Sequence, residues 1–252
     1  MSDPPRFLFE VVPPAAQRAL LETQRYMVRE VAQRALGFLP GEKGEGWENK
    51  HTCGVMVNSE PGTGKTLAGL LSLLFWMSFR WTGQGGEARP VVEIDGEEQR
   101  NLGHVTPMVN LFGAPEESSA WRQAHGRGEA PAFFVQASTS DLAQRWQSDL
   151  LSTVFVLEWR GHHYVRRRLL GHEVRWIEKS GGMPAAGTFF HVGHKEAAAK
   201  GQLVDALPSQ LAGALVDEAN FLGRKGDKAE IMRRVLDRKE CPLCILATGT
   251  IT

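Results

Sequence analysis

Residues Val55 to Leu70 read VMVNSEPGTGKTLAGL. The stretch has the pattern of a short buried strand, a Gly-rich loop and the opening of a helix. The loop, Ser59-Glu60-Pro61-Gly62-Thr63-Gly64-Lys65-Thr66, follows the phosphate-binding P-loop pattern G-x-x-x-x-G-K-[ST] except at its first position, where Ser59 stands for Gly. Gly62 and Gly64 let the backbone turn tightly and bring its N–H groups toward an anion. The helix that follows would aim its positive N-terminal end at the same spot. Lys65 has the reach for the β- and γ-phosphates, and the Thr66 hydroxyl suits Mg²⁺. A plain Gly-rich turn with a surface lysine is the simpler reading, but it does not account for strand, loop and helix in this order.

The rest of the composition frames that motif. A chain of 252 residues is long enough for one large α/β domain or two small ones. Hydrophobic residues make up 42% and charged residues 23%, which suits a globular protein. Lys+Arg and Asp+Glu both number 29, so any basic surface for a polyanion must be local. Three cysteines, Cys53, Cys241 and Cys244, are too few and too unevenly spaced for a secreted disulfide framework. An intracellular location, cytoplasmic or nuclear, is therefore expected, with a viral origin as an alternative. The start, MSDPPRFLFE, lacks a basic segment followed by an apolar run, so no signal peptide is expected. The longest apolar run, around Leu70 to Met77, is too short to span a bilayer, and no membrane partner is expected.

Taken in order, residues 1–14 are Pro-rich and read as an extended lead-in. Residues 15–37 read as a helix, with Leu20, Met27, Val31 and Leu36 near helical spacing and Gly37 and Pro40 as stop signals. The P-loop helix is expected over Thr66 to about Arg80. Residues 81–130 read as an insertion, with a hairpin-like signal at residues 91–96. A buried strand over Ala132 to Gln136 leads into the turn Ser138-Thr139-Ser140, which can cap a helix carrying Leu142, Trp146 and Leu150 on one face. Further strands are expected at Val154 to Glu158, Gly187 to Val192, Leu211 to Val216 and Cys244 to Ala247. Helical segments are expected around residues 197–210 and 228–239. Strands alternating with helices predict a mainly parallel sheet covered on both faces, within a single domain over 15–252.

The strand Leu211 to Val216 runs directly into Asp217-Glu218-Ala219-Asn220. In open parallel sheets ligands bind beyond the carboxyl ends of the strands. Asp217 is therefore expected beside the end of the P-loop strand, holding Mg²⁺ directly or through water. Glu218 is expected near the γ-phosphate, where it can orient or deprotonate an attacking water. Taken alone, the pair would read as a solvated acidic turn.

The order of P-loop, STSDLAQRWQSDL, DEAN and TGT resembles the N-terminal RecA-like lobe of a superfamily 2 helicase or translocase, of Swi/Snf-like or DEAD/DEAH-like type. Gly64-Lys65-Thr66 matches the family's first motif, and Leu142 to Trp146 the Leu-x-x-x-Trp pattern of motif Ia. Asp217 to Asn220 matches the acidic box, and Thr248-Gly249-Thr250 motif III, which couples nucleotide state to movement. The resemblance spans about residues 24–252 apart from the insertion. It implies a RecA-like P-loop α/β fold and ATP hydrolysis with Mg²⁺. Its implied partners are DNA, with RNA as the alternative, and a second RecA-like lobe carrying an arginine finger. That lobe would come from further chain or from a partner. Asn220 replaces the His of DEAH, which bears on coupling. Two rivals stand beside this reading: the ATPase domain of a phage large terminase, and a non-hydrolysing nucleotide-binding scaffold.

Smaller signals complete the list of candidates. The resemblance makes Gln24 a candidate adenine reader, since a side-chain amide both donates and accepts; a solvated helix Gln is the plain alternative. Ser138, Thr139 and Ser140 suit a nucleic-acid phosphate, or only a helix cap. Arg160, Arg166, Arg167, Arg168 and Arg175 suit phosphate contacts, or a solvated helix face. Cys241-Pro242-Leu243-Cys244 has the spacing of half a zinc site, but no second pair accompanies it, and buried or unbonded thiols are expected. His162, His163 and His172 lack ligand spacing.

Overall fold

The structure is a computed structural model. It describes residues 6–11, 21–36, 53–58, 63–74, 79–82, 104–107, 130–160, 164–177, 186–194, 202–219, 229–230, 232, 234–235, 241 and 243–249. Its strands are β1 (Phe7–Val11), β2 (Cys53–Asn58), β3 (Phe79–Thr82), β4 (His104–Pro107), β5 (Phe133–Ala137), β6 (Val154–Trp159), β7 (Tyr164–Arg168), β8 (Val174–Trp176), β9 (Phe190–His194), β10 (Gly213–Val216) and β11 (Leu243–Thr248). Its helices are α1 (Glu22–Leu36), α2 (Lys65–Leu73), α3 (Ser140–Thr153) and the short α4 (Gln202–Ala206). Residues 229, 230, 232, 234 and 235 are also helical, within the helix expected at 228–239.

The protein is α/β. Six strands form a sheet in the order β2-β11-β10-β5-β9-β8, and every described pairing in it is parallel. The central strands explain this choice. β5 (FFVQA), β9 (FHVGH) and β10 (GALV) are buried along their whole length. Continuous apolar strands belong inside a sheet covered on both faces. One face packs Val135, Leu215 and Ile245 against Leu70 and Leu73 of α2 and Trp146 and Leu150 of α3. The other packs Phe134, Ala214 and Val216 against Leu203 and Ala206 of α4 and against Met232 and Val235. Each fully buried Leu or Phe contributes about 2–3 kcal/mol of transfer free energy.

Four expectations need correction. The P-loop strand β2 is not buried on both faces. It is the last strand of the described sheet, with Val55 inward and Met56 60% exposed. Residues 7–11 are not a lead-in: β1 pairs antiparallel with β6, which pairs antiparallel with β7. The segment 164–168 is thus a strand rather than a helix face. The P-loop helix is shorter than expected, ending at Leu73, and β3 begins by Phe79. Within 81–130, β4 pairs antiparallel with β3, while the signal at 91–96 lies outside the described residues.

An aromatic cluster ties the antiparallel sheet to the parallel one. Phe9 meets Phe133, Phe189 and Phe190 edge-on, with centroids 5.6, 5.2 and 5.9 Å away. Edge-to-face pairs of this kind add about 0.5–1.5 kcal/mol each beyond burial. Phe133 and Phe190 begin their strands, so the cluster lies at the end of the sheet opposite the acidic turn.

Candidate functional site

Parallel strands all point one way, so their carboxyl ends share a rim. Four candidate segments stand there: Thr63 to Thr66 after β2, Thr248 and Gly249 at the end of β11, Asp217 and Glu218 after β10, and Ser138 to Ser140 after β5. The order corrects one expectation. Asp217 is not beside the P-loop strand, because β11 runs between β2 and β10, and Thr248 is level with Asn58 of β2. The coupling triplet thereby stands between the lysine loop and the acids. Ser59, Gly62, Asn220 and Thr250 lie outside the described residues.

The start of α2 is set by Gly64. Its φ of 75° and ψ of 32° lie in the left-handed region, where glycine carries no Cβ penalty. Gly64 has no side chain with which to cap α2, and the first turn holds no acidic residue. The helix end thus keeps its positive character toward the rim. Thr66 is exposed and Lys65 half-buried. A close approach brings this end over the sheet: a Cβ on Gly69 would lie only 3.2 Å from the methyls of Leu215 on β10.

Gln24 sits under that loop. It is 1% exposed, so it is not a solvated helix residue. Its Oε1 accepts the N–H of Leu21 at 3.0 Å, and its Nε2 donates to the Thr63 carbonyl at 3.4 Å. Its amide therefore joins the first turn of α1 to the backbone of the lysine loop.

The acidic turn is held from several sides. The Asp217 N–H donates to the Gln136 carbonyl at 2.8 Å. Asp217 Oδ1 accepts the Glu218 N–H at 3.0 Å. Burial pushes the Asp217 carboxyl above its usual 3.8. The Glu218 N–H opposes that, the Glu218 charge adds to it, and the Trp146 indole and the Lys65 ammonium oppose it. Lys65 and Asp217 are therefore close enough for one charge to act on the other. Glu218 has φ 54°, the one described non-glycine residue in positive φ. Such strain costs of order 1–3 kcal/mol and gathers at functional turns.

Ser138 is half-buried and Ser140 exposed; Thr139 caps α3, its hydroxyl accepting the Leu142 N–H at 3.3 Å. The arginine run is largely committed within the chain. Arg166 pairs with Glu10 and stacks 3.8 Å from the Phe155 centroid. Arg167 grips Glu173 with two hydrogen bonds of 2.8 and 2.6 Å. Arg160 pairs with Glu158 at 3.2 Å, and Arg175 donates to the Ala206 carbonyl at 3.2 Å. Cys241 and Cys244 are buried thiols, and burial pushes the Cys241 thiol up, away from thiolate chemistry. His172 is exposed, while His162 and His163 lie outside the described residues.

Trp146 is buried on the helix face where the sequence put it, 3% exposed beside Leu150. Sequence reading missed Gln136, which is fully buried; its Nε2 donates to the Ala137 carbonyl and its Oε1 has no partner among the described residues. Among the described residues no cluster of three His, Cys, Asp or Glu forms a metal cage, and no helix is long and apolar enough to cross a membrane. No protein-family model matches the chain, and no curated protein matches it significantly.

Proposed function

We propose that the chain is a RecA-like P-loop nucleoside triphosphatase lobe, the ATP-hydrolysing part of a nucleic-acid helicase or double-stranded DNA translocase. The observation that carries this reading is that Lys65 and Asp217 stand on the same rim, where the Lys65 charge bears on the Asp217 carboxyl. They come from loops separated by about 150 residues of sequence, yet lie within electrostatic reach at one rim of a parallel sheet. An uncapped helix end and a strained acidic turn at the same rim support it.

The donor set suits Mg²⁺, a hard cation that takes one or two protein oxygens and keeps several waters. The Thr66 hydroxyl and the Asp217 carboxylate would hold it, and when bound it would neutralise phosphate charge. Lys65 and the N–H groups at the start of α2 bind the β- and γ-phosphates. Glu218 orients a water and takes its proton as the water oxygen bonds to the γ-phosphorus and the bond to the ADP oxygen breaks. Thr248 and Gly249, between the two halves of the site, suit a group that senses the γ-phosphate. Ser138, Thr139 and Ser140 are the proposed nucleic-acid contact, and a second RecA-like lobe the proposed partner.

Nucleotide binding and ATP turnover, with and without duplex DNA, test the reading. Wild-type protein should bind Mg-ATP, and Lys65→Ala should lose that binding. Stimulation by duplex DNA would support the translocase. Equal affinity in wild type and Lys65→Ala would overturn the assignment, and tight binding without turnover would turn it into a scaffold.

A further inference from the structure

We propose that Gln136 is a positioning residue that couples two turns at the rim, its main chain holding the acidic turn while its side-chain amide holds the start of the Ser138 to Ser140 turn. The inference rests on the reading of those turns as the nucleotide and nucleic-acid contacts.

Both grips come from one residue near the end of β5. The Gln136 carbonyl accepts the Asp217 N–H at 2.8 Å. The Gln136 Nε2 donates to the Ala137 carbonyl at 2.9 Å. That carbonyl belongs to the peptide joining Ala137 to Ser138, and a peptide is a rigid planar unit. The amide that holds it therefore sets where the turn begins. One residue further, the Thr139 hydroxyl accepts the Leu142 N–H and fixes the start of α3. A phosphate that draws on this turn pulls on Gln136, and through the Gln136 carbonyl on the Asp217 backbone.

Packing alone does not explain an amide at this position. Gln136 is fully buried, and its Oε1 has no partner among the described residues. An unpaired buried acceptor is costly, whereas an apolar side chain of the same shape would be close to neutral. The neighbours show why Oε1 is unpaired. Gln136 is level with Val216 on β10 and with Gly193 on β9, and neither has a polar side chain. The space over Gly193 is filled by Phe134 and Leu203, 3.2 and 3.6 Å from where a Cβ would stand. A half-satisfied amide has a second arrangement open to it, in which Oε1 gains a donor. A ligand that favours one arrangement over the other shifts the balance between them, and a second site that feels the same balance is thereby coupled to it.

Gln136→Met keeps the length of the side chain and every main-chain group, and removes the amide. In wild type, saturating duplex DNA should change Mg-ATP affinity by about 5-fold or more, and Mg-ATP should change DNA affinity by the same factor, because coupling between binding sites is reciprocal. In Gln136→Met both factors should fall toward one. Loosened packing would alter the single affinities without abolishing that reciprocal factor. A second measurement needs no variant: the side-chain amide resonances of Gln136, assigned through its backbone, should shift on adding either ligand to wild type. If Gln136→Met does not fold, these resonances decide alone. Full coupling retained in Gln136→Met, or amide resonances that answer neither ligand, overturns this inference alone when Lys65→Ala still loses nucleotide. No coupling in wild type overturns it together with the nucleic-acid half of the functional reading. Unchanged nucleotide affinity in Lys65→Ala overturns the triphosphate reading and this inference with it.

Discussion

The side-chain amide of Gln24 occupies the space that a β-carbon on Gly64 would need: a Cβ built there falls 2.0 Å from Gln24 Nε2. Helix α1 and the lysine loop are thereby fitted to each other through one amide and one missing methyl. Gly64→Ala meets two penalties, the left-handed backbone at about 1–2 kcal/mol and the collision with Gln24. In a Gln24→Ala background the collision is gone and only the backbone term remains. The double variant should therefore be less destabilised than the two single losses added together, by about 1 kcal/mol or more. Chemical denaturation of the four proteins measures this, and strict additivity would show that Gln24 does not seat the loop.

Asp217 carries a stability cost with a defined pH dependence. Its folded pKa is raised above 3.8, so the fold favours the protonated acid. Stability from this group is present below the unfolded value and is lost as pH rises through the folded one. Asp217→Asn mimics the protonated form. It should unfold at higher temperature than wild type at neutral pH, with the gap closing as pH falls toward 4. On the functional proposal, the same variant loses more than about 100-fold in Mg²⁺-dependent hydrolysis. A lower melting temperature at pH 7 would contradict the burial argument.

His191 sets an acid limit from the other face of the sheet. It is 1% exposed, and burial, with the Arg175 charge beside it, lowers its pKa from 6.5 to about 4. The unfolded chain binds the proton more readily, so stability from this group is full above pH 6.5 and falls as pH drops toward 4. A shift of this size corresponds to roughly 3 kcal/mol across that window. His191→Gln removes the titration and should flatten the stability profile between pH 6.5 and 4. An unaltered slope would assign the acid sensitivity to other groups.

The arginine run separates into structural and surface members. Arg167 neutralises Glu173, whose side chain is 5% exposed and also accepts the Leu170 N–H at 2.8 Å. Arg167→Ala leaves that carboxylate buried without its cation and should cost about 3–5 kcal/mol. Arg168 is exposed, and Arg168→Ala should stay within about 0.5 kcal/mol. Equal losses for the two variants in urea unfolding would refute this division.

Much of the architecture was legible because it is local. The P-loop pattern required strand, turn and helix within twenty residues, and β2 and α2 appear there. Continuous apolar runs announced β5, β10 and β11 as inner parallel strands, and the Ser138 to Ser140 turn announced the cap of α3. The residue types of the site, a lysine after Gly64 and two acids after an apolar strand, were equally plain.

Pairing partners were not legible, because hydrogen bonding between strands depends on where distant segments settle and not on their own composition. Nothing in FLFEV or YVRRR names β6 as its neighbour; Phe9 packing on Phe133 and Arg166 meeting Glu10 decide it. The same holds at the rim. Sequence alone determined that Lys65 and Asp217 suit one chemistry. Only the tertiary structure decided that β11 stands between their strands and that Gln24 lies under Gly64. A side chain's donor can be read from its letter, whereas its acceptor is chosen by the packing of the whole sheet.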